Sequence, residues 1–372
     1  SGLDARAVPP LLSVRPSRAL VDEKFSVLVE NLPPGCPVTI RSLYQSEDKD
    51  FWEAYGHYVS NHKGTVSVSE DISLGGTYTG KEAMGLLWSM RPIPGSRKGL
   101  RLRKKDTCAP MLVTISVYSG HGDVRDQAPL ASALVERWHV APGVQRIEIT
   151  EKGVRGTLFL PPGPGPFPAM LDLWGGGGGL QEYRAALLAC RGFASLALEY
   201  LKSNDTKPKG LDMKYFETAF EIIRSHPQVI PDRVGIIGLC FGTLMTLSLA
   251  AECPTIKVGN IDCPMLLING TDDQNWPTVE VASDIIKTMR EAGKESLVTR
   301  LDYPDAGHLI EPPFSPHFRA ANFMLHGTKK KVMMLWGGKT KPHADAQEDS
   351  WKKILSFLQL HLYGAPSLKA NL

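Results

Sequence analysis

RVGIIGLCFGTLMTLSLAAE, Arg233 to Glu252, passes from an apolar strand pattern through Gly238-Leu239-Cys240-Phe241-Gly242 into an apolar helical one. A strand that bends sharply into a helix tolerates little side-chain bulk at the bend, and Gly238 and Gly242 leave room around Cys240. The pattern is that of a nucleophile elbow, with a thiol where a hydroxyl is usual. A helix beginning at about Thr243 would point its positive end at Cys240, favouring a thiolate and supporting an oxyanion. A cysteine that merely packs inside a strand–helix turn would look the same over these residues alone.

The chain beyond the elbow supplies partners. PMLLINGTDDQNW puts Asp272 and Asp273 just past a strand, where an acid that orients a histidine belongs. YPDAGHLIEPP puts His308 in a loop after a further strand. Nucleophile, acid and histidine in that order are the sequence of an α/β-hydrolase triad. His343 in KPHADAQ is the rival histidine, although a place just before the last helix also suits capping or packing. Gly175 to Gly179 follow the strand AMLDLW, where bare backbone N–H groups can approach an oxyanion. Gly177 and Gly178 are the expected donors there, with the Phe241 N–H as their partner.

Outward from these motifs the chain divides near residue 140. The first part reads as short β segments (SVRPS, FSVLVENLPPG, VTIRSLYQ, GTVSVSEDISLGG, LRLRKKDT, MLVTISVYSG), the pattern of an antiparallel, immunoglobulin-like β-sandwich over 1–140. Its basic run SRKGLRLRKKD alternates charge and leucine, so it reads as a solvated strand face or a phosphate-contacting patch. From 141 to 372 strands alternate with helices. RIEITEKGVRGTLFLPP reads as a hairpin, and helices are expected from Gln181, Asp212, Thr243 and Val279, with a last one carrying Trp351 and Leu358. That alternation predicts an α/β domain with a mostly parallel sheet flanked by helices.

Composition narrows the function. Charged residues are 22% and hydrophobic ones 42% of 372, with net charge +3, a globular balance far from a nucleic-acid-binding signature. No apolar run is long enough for a membrane span. The six cysteines lack zinc or redox spacing and are too sparse for a disulfide scaffold, which points to free thiols inside a cell and no metal. No signal peptide is visible, and Ser1-Gly2 reads as an added or processed start. The glycine-rich turn with Glu199 ending the next strand could instead hold a dinucleotide, but Leu180 occupies a small-residue position and Cys240 and His308 would be idle. P-loop and H-E-x-x-H patterns are absent from the sequence.

LGGTYTGKEAMGLLWSM, ERWHVAPGV, VRGTLFLPPGPGPFP, GGGGGLQEYRAALLACRGFASLALEY, DDQNW, GHLIEPPFSP and WGGKTKPHADAQEDSW together resemble the acyl-CoA thioesterase and bile acid-CoA:amino acid N-acyltransferase family, nearly end to end. The resemblance implies a β-sandwich before an α/β-hydrolase domain, with Cys240 as nucleophile, His308 as base and Asp273 as acid. Thioesterases of that family generally carry serine at the nucleophile, whereas the N-acyltransferases carry cysteine. It implies an acyl-CoA substrate, no cofactor, and glycine or taurine as acceptor; hydrolysis to free acid is the alternative. Dienelactone hydrolases share G-x-C-x-G but lack the sandwich and the GHLIEPP stretch. The Lys-Ala-Asn-Leu end resembles a catalase-type peroxisomal address, which an import receptor would read. One departure stands out. Only 32 residues separate Cys240 from Asp273, too few for the extra strand and cap-like segments of the family, so a piece near Ile256 to Gly259 is expected to be missing or deleted.

Overall fold

Residues 8–175, 179–200, 212–252, 257–325 and 330–364 are described by a computed structural model of the chain. Gly177, Gly178, Ile256 and the C-terminal Ala370-Asn371-Leu372 lie outside the described residues. Two units divide the chain: Ser1–Arg97 with Leu102–His139 and Pro313–His317, and Lys98–Arg101 with Val140–Pro312 and Phe318–Leu372.

The first unit holds a three-stranded and a six-stranded sheet, paired antiparallel except where Arg18–Leu20 runs parallel to Ala131–Trp138. Pro37–Gln45 is central in the larger sheet; Val38, Ile40, Ser42 and Tyr44 are buried on one face, while on the other Arg41 and Leu43 are half-buried and Thr39 is buried as well. Phe51–Val59 pairs with it and carries a fully buried Glu53, held by Arg41 at 3.0 Å and by Arg125. The expected strand over LRLRKKDT does not form: residues 101–106 are irregular, and the Arg101 and Lys104 side chains are each only 7% exposed. Salt bridges to Glu311 and Glu47 replace the solvent that the alternating charges implied.

In the second unit β1 (Gln145–Glu151) and β2 (Val154–Leu160) form a hairpin whose two-residue turn, Lys152-Gly153, has positive φ at both positions. That is the turn geometry which matches strand twist. Then come β3 (Phe167–Leu173), α1 (Tyr183–Cys190), β4 (Ala194–Glu199), α2 (Met213–Arg224), β5 (Val229–Gly238) and α3 (Phe241–Ala250). The sheet order is β1-β2-β4-β3-β5, with β3 parallel to both β4 and β5. Alternation along β4 sends Leu196 and Leu198 to one face, against Phe216 and Ile223 of α2, and Ala197 to the other, against Ala185 and Ala189 of α1. Burying a side chain such as Phe216 stabilises this layer by roughly 1.5–3 kcal/mol. Asp212 caps α2 by accepting from the Lys214 N–H at 3.0 Å. This is an α/β-hydrolase domain preceded by a β-rich one.

The sheet does not continue as one body. The strands β6 (Met265–Gly270) and β7 (Val298–Tyr303) form a separate parallel pair, with α4 (Thr278–Glu291) between them in sequence. A hairpin of β8 (Ala320–Met324) and β9 (Lys331–Leu335) follows, then α5 (Thr340–Leu358). Among the described residues β5 has no neighbour on its outer edge. Although α3 is apolar nearly all round, only Gly242, Leu247 and Ser248 on it are buried. A helix of that composition normally packs on every side. The short interval before Asp273 leaves no chain to supply the missing strand, so the single mostly parallel sheet expected from the sequence is interrupted here.

Candidate active site

Steric demand at the end of β5 explains the glycines. A Cβ on Gly242 would lie 2.0 Å from the Leu173 carbonyl oxygen, and one on Gly238 would lie 2.4 Å from Thr246 Oγ1 and 2.5 Å from the Gly242 oxygen. Gly175 is constrained as well, since its Cβ would come within 3.0 Å of the Cys240 Cβ and 3.5 Å of Sγ. Between these points Cys240 takes φ 57°, ψ −124°, a left-handed backbone that a non-glycine residue rarely adopts. The Leu239 N–H donates to the Leu173 oxygen at 3.1 Å and the Gly242 N–H to the Leu239 oxygen at 3.0 Å, which fixes the bend. Phe241 is the first residue of α3, so its N–H lies outside the helix's own ladder, in the position of an oxyanion donor. Whether Gly177 and Gly178 join it falls outside the described residues.

His308 and Asp273 meet. His308 Nδ1 lies 2.7 Å from Asp273 Oδ2, with the two side chains 7% and 3% exposed. The other carboxylate oxygen of Asp273 accepts from the Asn275 and Trp276 N–H groups, each at 2.9 Å, so the acid is clamped in one rotamer. Burial opposes charge on the imidazole. Hydrogen bonding to Asp273 and to the Cys240 sulfur, together with their negative charges, outweighs it and pushes His308 up to about 9. Nε2 is buried and has no nitrogen or oxygen partner among the described residues. The Trp336 ring stacks on the imidazole at 5.6 Å and 12°, and the Trp336 carbonyl accepts the His308 backbone N–H at 3.0 Å.

The two candidates left open by sequence separate cleanly. Asp272 turns outward to Arg319 at 2.7 Å, to Gln274 and to the Gly338 N–H; bonds to Arg319 and Gln274 hold its carboxyl below the usual range. His343 braces the loop on either side of His308, accepting from the Gly307 N–H at 3.0 Å through Nδ1 and donating through Nε2 to the Leu309 oxygen at 2.8 Å. That pattern requires the neutral imidazole and leaves no ring nitrogen for a substrate.

Sequence reasoning missed the surroundings of the thiol. Trp174, Leu309, Ala321 and Trp336 form a buried apolar cluster on which Cys240, Tyr183 and Phe318 pack. Tyr200, at the end of β4, is stacked on Phe241, and burial, with Asp172 and Cys240 nearby, raises its phenol far above the ordinary value. Only the strand-end positions of Trp174 and Tyr200 hinted at this. Among the described residues no group of acidic, cysteine and histidine side chains could hold a metal, and no helix is long and apolar enough to cross a membrane.

Comparison with known proteins agrees with this architecture. Residues 22–151 match the family model of the acyl-CoA thioester hydrolase/BAAT N-terminal region, and residues 211–259 and 251–364 match that of the BAAT/acyl-CoA thioester hydrolase C terminal. The chain belongs to this family. It is 34% identical over 428 aligned positions to the bile acid-CoA:amino acid N-acyltransferase of Mus musculus, covering 97% of this chain and 99% of the relative. The Homo sapiens protein of the same name is 35% identical, with 94% and 97% covered. Acyl-coenzyme A thioesterase 1 of Mus musculus is also 35% identical, with 94% and 96% covered. The C-terminal model is met in two stretches that join at 251–259, within the short interval between Cys240 and Asp273.

Proposed function

We propose that this chain transfers acyl groups from coenzyme A thioesters to the amine of an amino acid such as glycine or taurine, through an acyl-Cys240 intermediate. Support comes from family membership, since its relatives carry the names of both N-acyltransferases and acyl-CoA thioesterases. The observation that carries the finer choice is a cysteine at the elbow, beside an imidazole braced by a buried carboxylate.

The steps use this chain's own groups. The Cys240 thiolate attacks the thioester carbonyl, and the oxyanion is held by the Phe241 N–H, with Gly177 and Gly178 as proposed co-donors. The bond to the coenzyme A sulfur breaks, and the leaving thiolate takes the His308 proton. Acyl-Cys240 is again a thioester and keeps most of its transfer potential, which a serine oxyester would not. The amine then attacks, His308 accepts its proton, the C–S bond to Cys240 breaks and the amide departs. Asp273 stabilises the imidazolium in both halves.

Water competes at about 55 M with an amine near 1 mM, so transfer must gain nearly five powers of ten, roughly 6 kcal/mol of barrier difference. Thioesters favour amines intrinsically, and the apolar cluster beside Cys240 disfavours water. The test is incubation with choloyl-CoA and palmitoyl-CoA, with and without glycine or taurine, followed by mass spectrometry. Amide product and an acyl adduct on Cys240 are expected. Free acid alone would favour the thioesterase reading, and full activity in Cys240→Ala would remove the mechanism.

A further inference from the structure

Arg101 comes from the part of the chain read as a solvated strand, yet Lys98–Arg101 belongs to the unit that carries Cys240. The Asn322 N–H donates to the Gly99 oxygen at 2.9 Å and its side-chain amide to the Lys98 oxygen at 3.0 Å, so the segment is tied to β8. Two residues on, the Arg101 guanidinium carbon lies 4.9 Å from the Trp174 ring and 4.9 Å from the Phe318 ring. Its Nη2 donates to Glu311 Oε1 at 2.5 Å, and both side chains are 7% exposed.

A buried ion pair is a poor device for stability alone, because desolvation offsets most of the attraction. This pair is also incompletely used. Among the described residues Arg101 Nε is buried without an acceptor, and so are the indole N–H groups of Trp174 and Trp336. Two of these three donors belong to the aromatic cluster on which Cys240 packs, and the third, Arg101, lies over two of its rings. Indole and guanidinium nitrogens can only donate, so what completes them is a group rich in acceptor oxygens. A guanidinium fits a planar or tripodal acid group through two parallel N–H bonds. Glu311 balances its charge while the site is empty, so a guest that enters as the zwitterion adds no net charge to the cluster, and its ammonium gives up one proton before the amine attacks.

We propose that Arg101, backed by Glu311 and flanked by Trp174, is the docking point for the carboxylate or sulfonate of the acceptor amine. This rests on the N-acyltransferase reading and adds to it the residue that tells an acidic amine from other amines. Arg101 is here a specificity residue: the acid end is held at the guanidinium while the free amine faces acyl-Cys240.

The experiment compares glycine, taurine and glycinamide as acceptors for one acyl-CoA, with concentrations expressed as free amine. Wild-type protein is expected to show a KM at least about tenfold lower for glycine than for the uncharged glycinamide. Arg101→Gln should abolish that preference, read as the ratio of the glycine and glycinamide KM values, and Arg101→Lys should restore part of it. Amide formation with equal KM for glycine and glycinamide in the wild type would overturn the docking role and leave N-acyl transfer standing. So would a preference retained in Arg101→Gln. Free acid from wild type with every amine would instead remove the N-acyltransferase reading, and this role with it. The wild-type comparison decides the matter even if a variant does not fold.

Discussion

Asp273→Asn is the sharpest probe of the site, because Asp272→Asn alters the adjacent residue by the same chemistry. In the first variant the amide oxygen can still accept the Asn275 and Trp276 N–H groups, so the turn keeps its shape. What changes is the group facing His308 Nδ1 at 2.7 Å: an NH2 replaces a carboxylate, and the ring must give up its Nδ1–H tautomer. Asp273 is one of the groups that bring the imidazole from 6.5 up to about 9 against burial. That displacement corresponds to roughly 3 kcal/mol, shared with Cys240, and the tautomer error adds to the loss. Together they predict that coenzyme A release in the first turnover falls by about 10² to 10⁴-fold. Iodoacetamide should alkylate Cys240 at pH 7 more slowly as well.

Asp272 is paired with Arg319, whose side chain is 51% exposed, and it sits outside the imidazole's reach. Solvent screens such a pair, so Asp272→Asn should cost less than about 1 kcal/mol of stability and change the first turnover by less than about threefold. Stopped-flow detection of free thiol measures both variants. A larger loss in Asp272→Asn than in Asp273→Asn, or an Asp273→Asn rate within about tenfold of wild type, would refute the assignment of the acid.

Gly242→Ala places a methyl 2.0 Å from a backbone oxygen that cannot rotate away, so roughly 3 kcal/mol or more of stability should be lost in urea denaturation; an unchanged midpoint would disprove the close approach. His343→Ala removes the acceptor of the Gly307 N–H, which should cost about 1–3 kcal/mol of stability and lower kcat through a displaced His308 while the acyl-CoA KM holds. If His343→Ala matched His308→Ala in abolishing Cys240 alkylation, the base would be His343. The raised His308 value also sets a pH window. Its stabilising contribution is complete below the unfolded value of 6.5 and is lost as pH rises through about 9. The stability gap between wild type and His308→Ala should therefore narrow between those limits by at most roughly 3 kcal/mol, and a gap that widened would contradict the sign.

The residues that sequence made legible are those whose requirement is local. Gly238 and Gly242 are dictated by backbone contacts within a few positions of the bend or on the neighbouring strand, so the motif and the geometry coincide. The period-two pattern of Pro37–Gln45 and the capped face of Met213–Arg224 are local in the same sense. Phe51–Val59 hid behind Glu53, a charge no strand pattern would bury, and only Arg41 and Arg125 from other strands and loops make it possible. The choice of Asp273 over Asp272 came from the family resemblance and not from the local pattern, for a related reason: it turns on which carboxylate the following N–H groups capture, and both sit in the same turn.

Arg101 is the extreme case. Its alternating neighbours satisfy a strand template, but its partner Glu311 is 210 positions away and its flanking rings come from β3's end and the loop before β8. No window on the chain contains that information. The interrupted sheet shows the opposite relation, in which a length alone was decisive. Thirty-two residues between Cys240 and Asp273 cannot carry the helix, strand and helix that would link β5 to β6, and an edge of β5 with no strand neighbour among the described residues, beside a half-buried apolar α3, is the physical consequence. The elbow and the His308–Asp273 pair are intact on either side of that break, because Cys240 is positioned by β3 and β5, and the pair by the Asp273 turn and Trp336. The backbone supports of the thiol and of the imidazole come from separate sheets, and Trp336, which stacks on His308 and belongs to the cluster on which Cys240 packs, joins the two across the discontinuity.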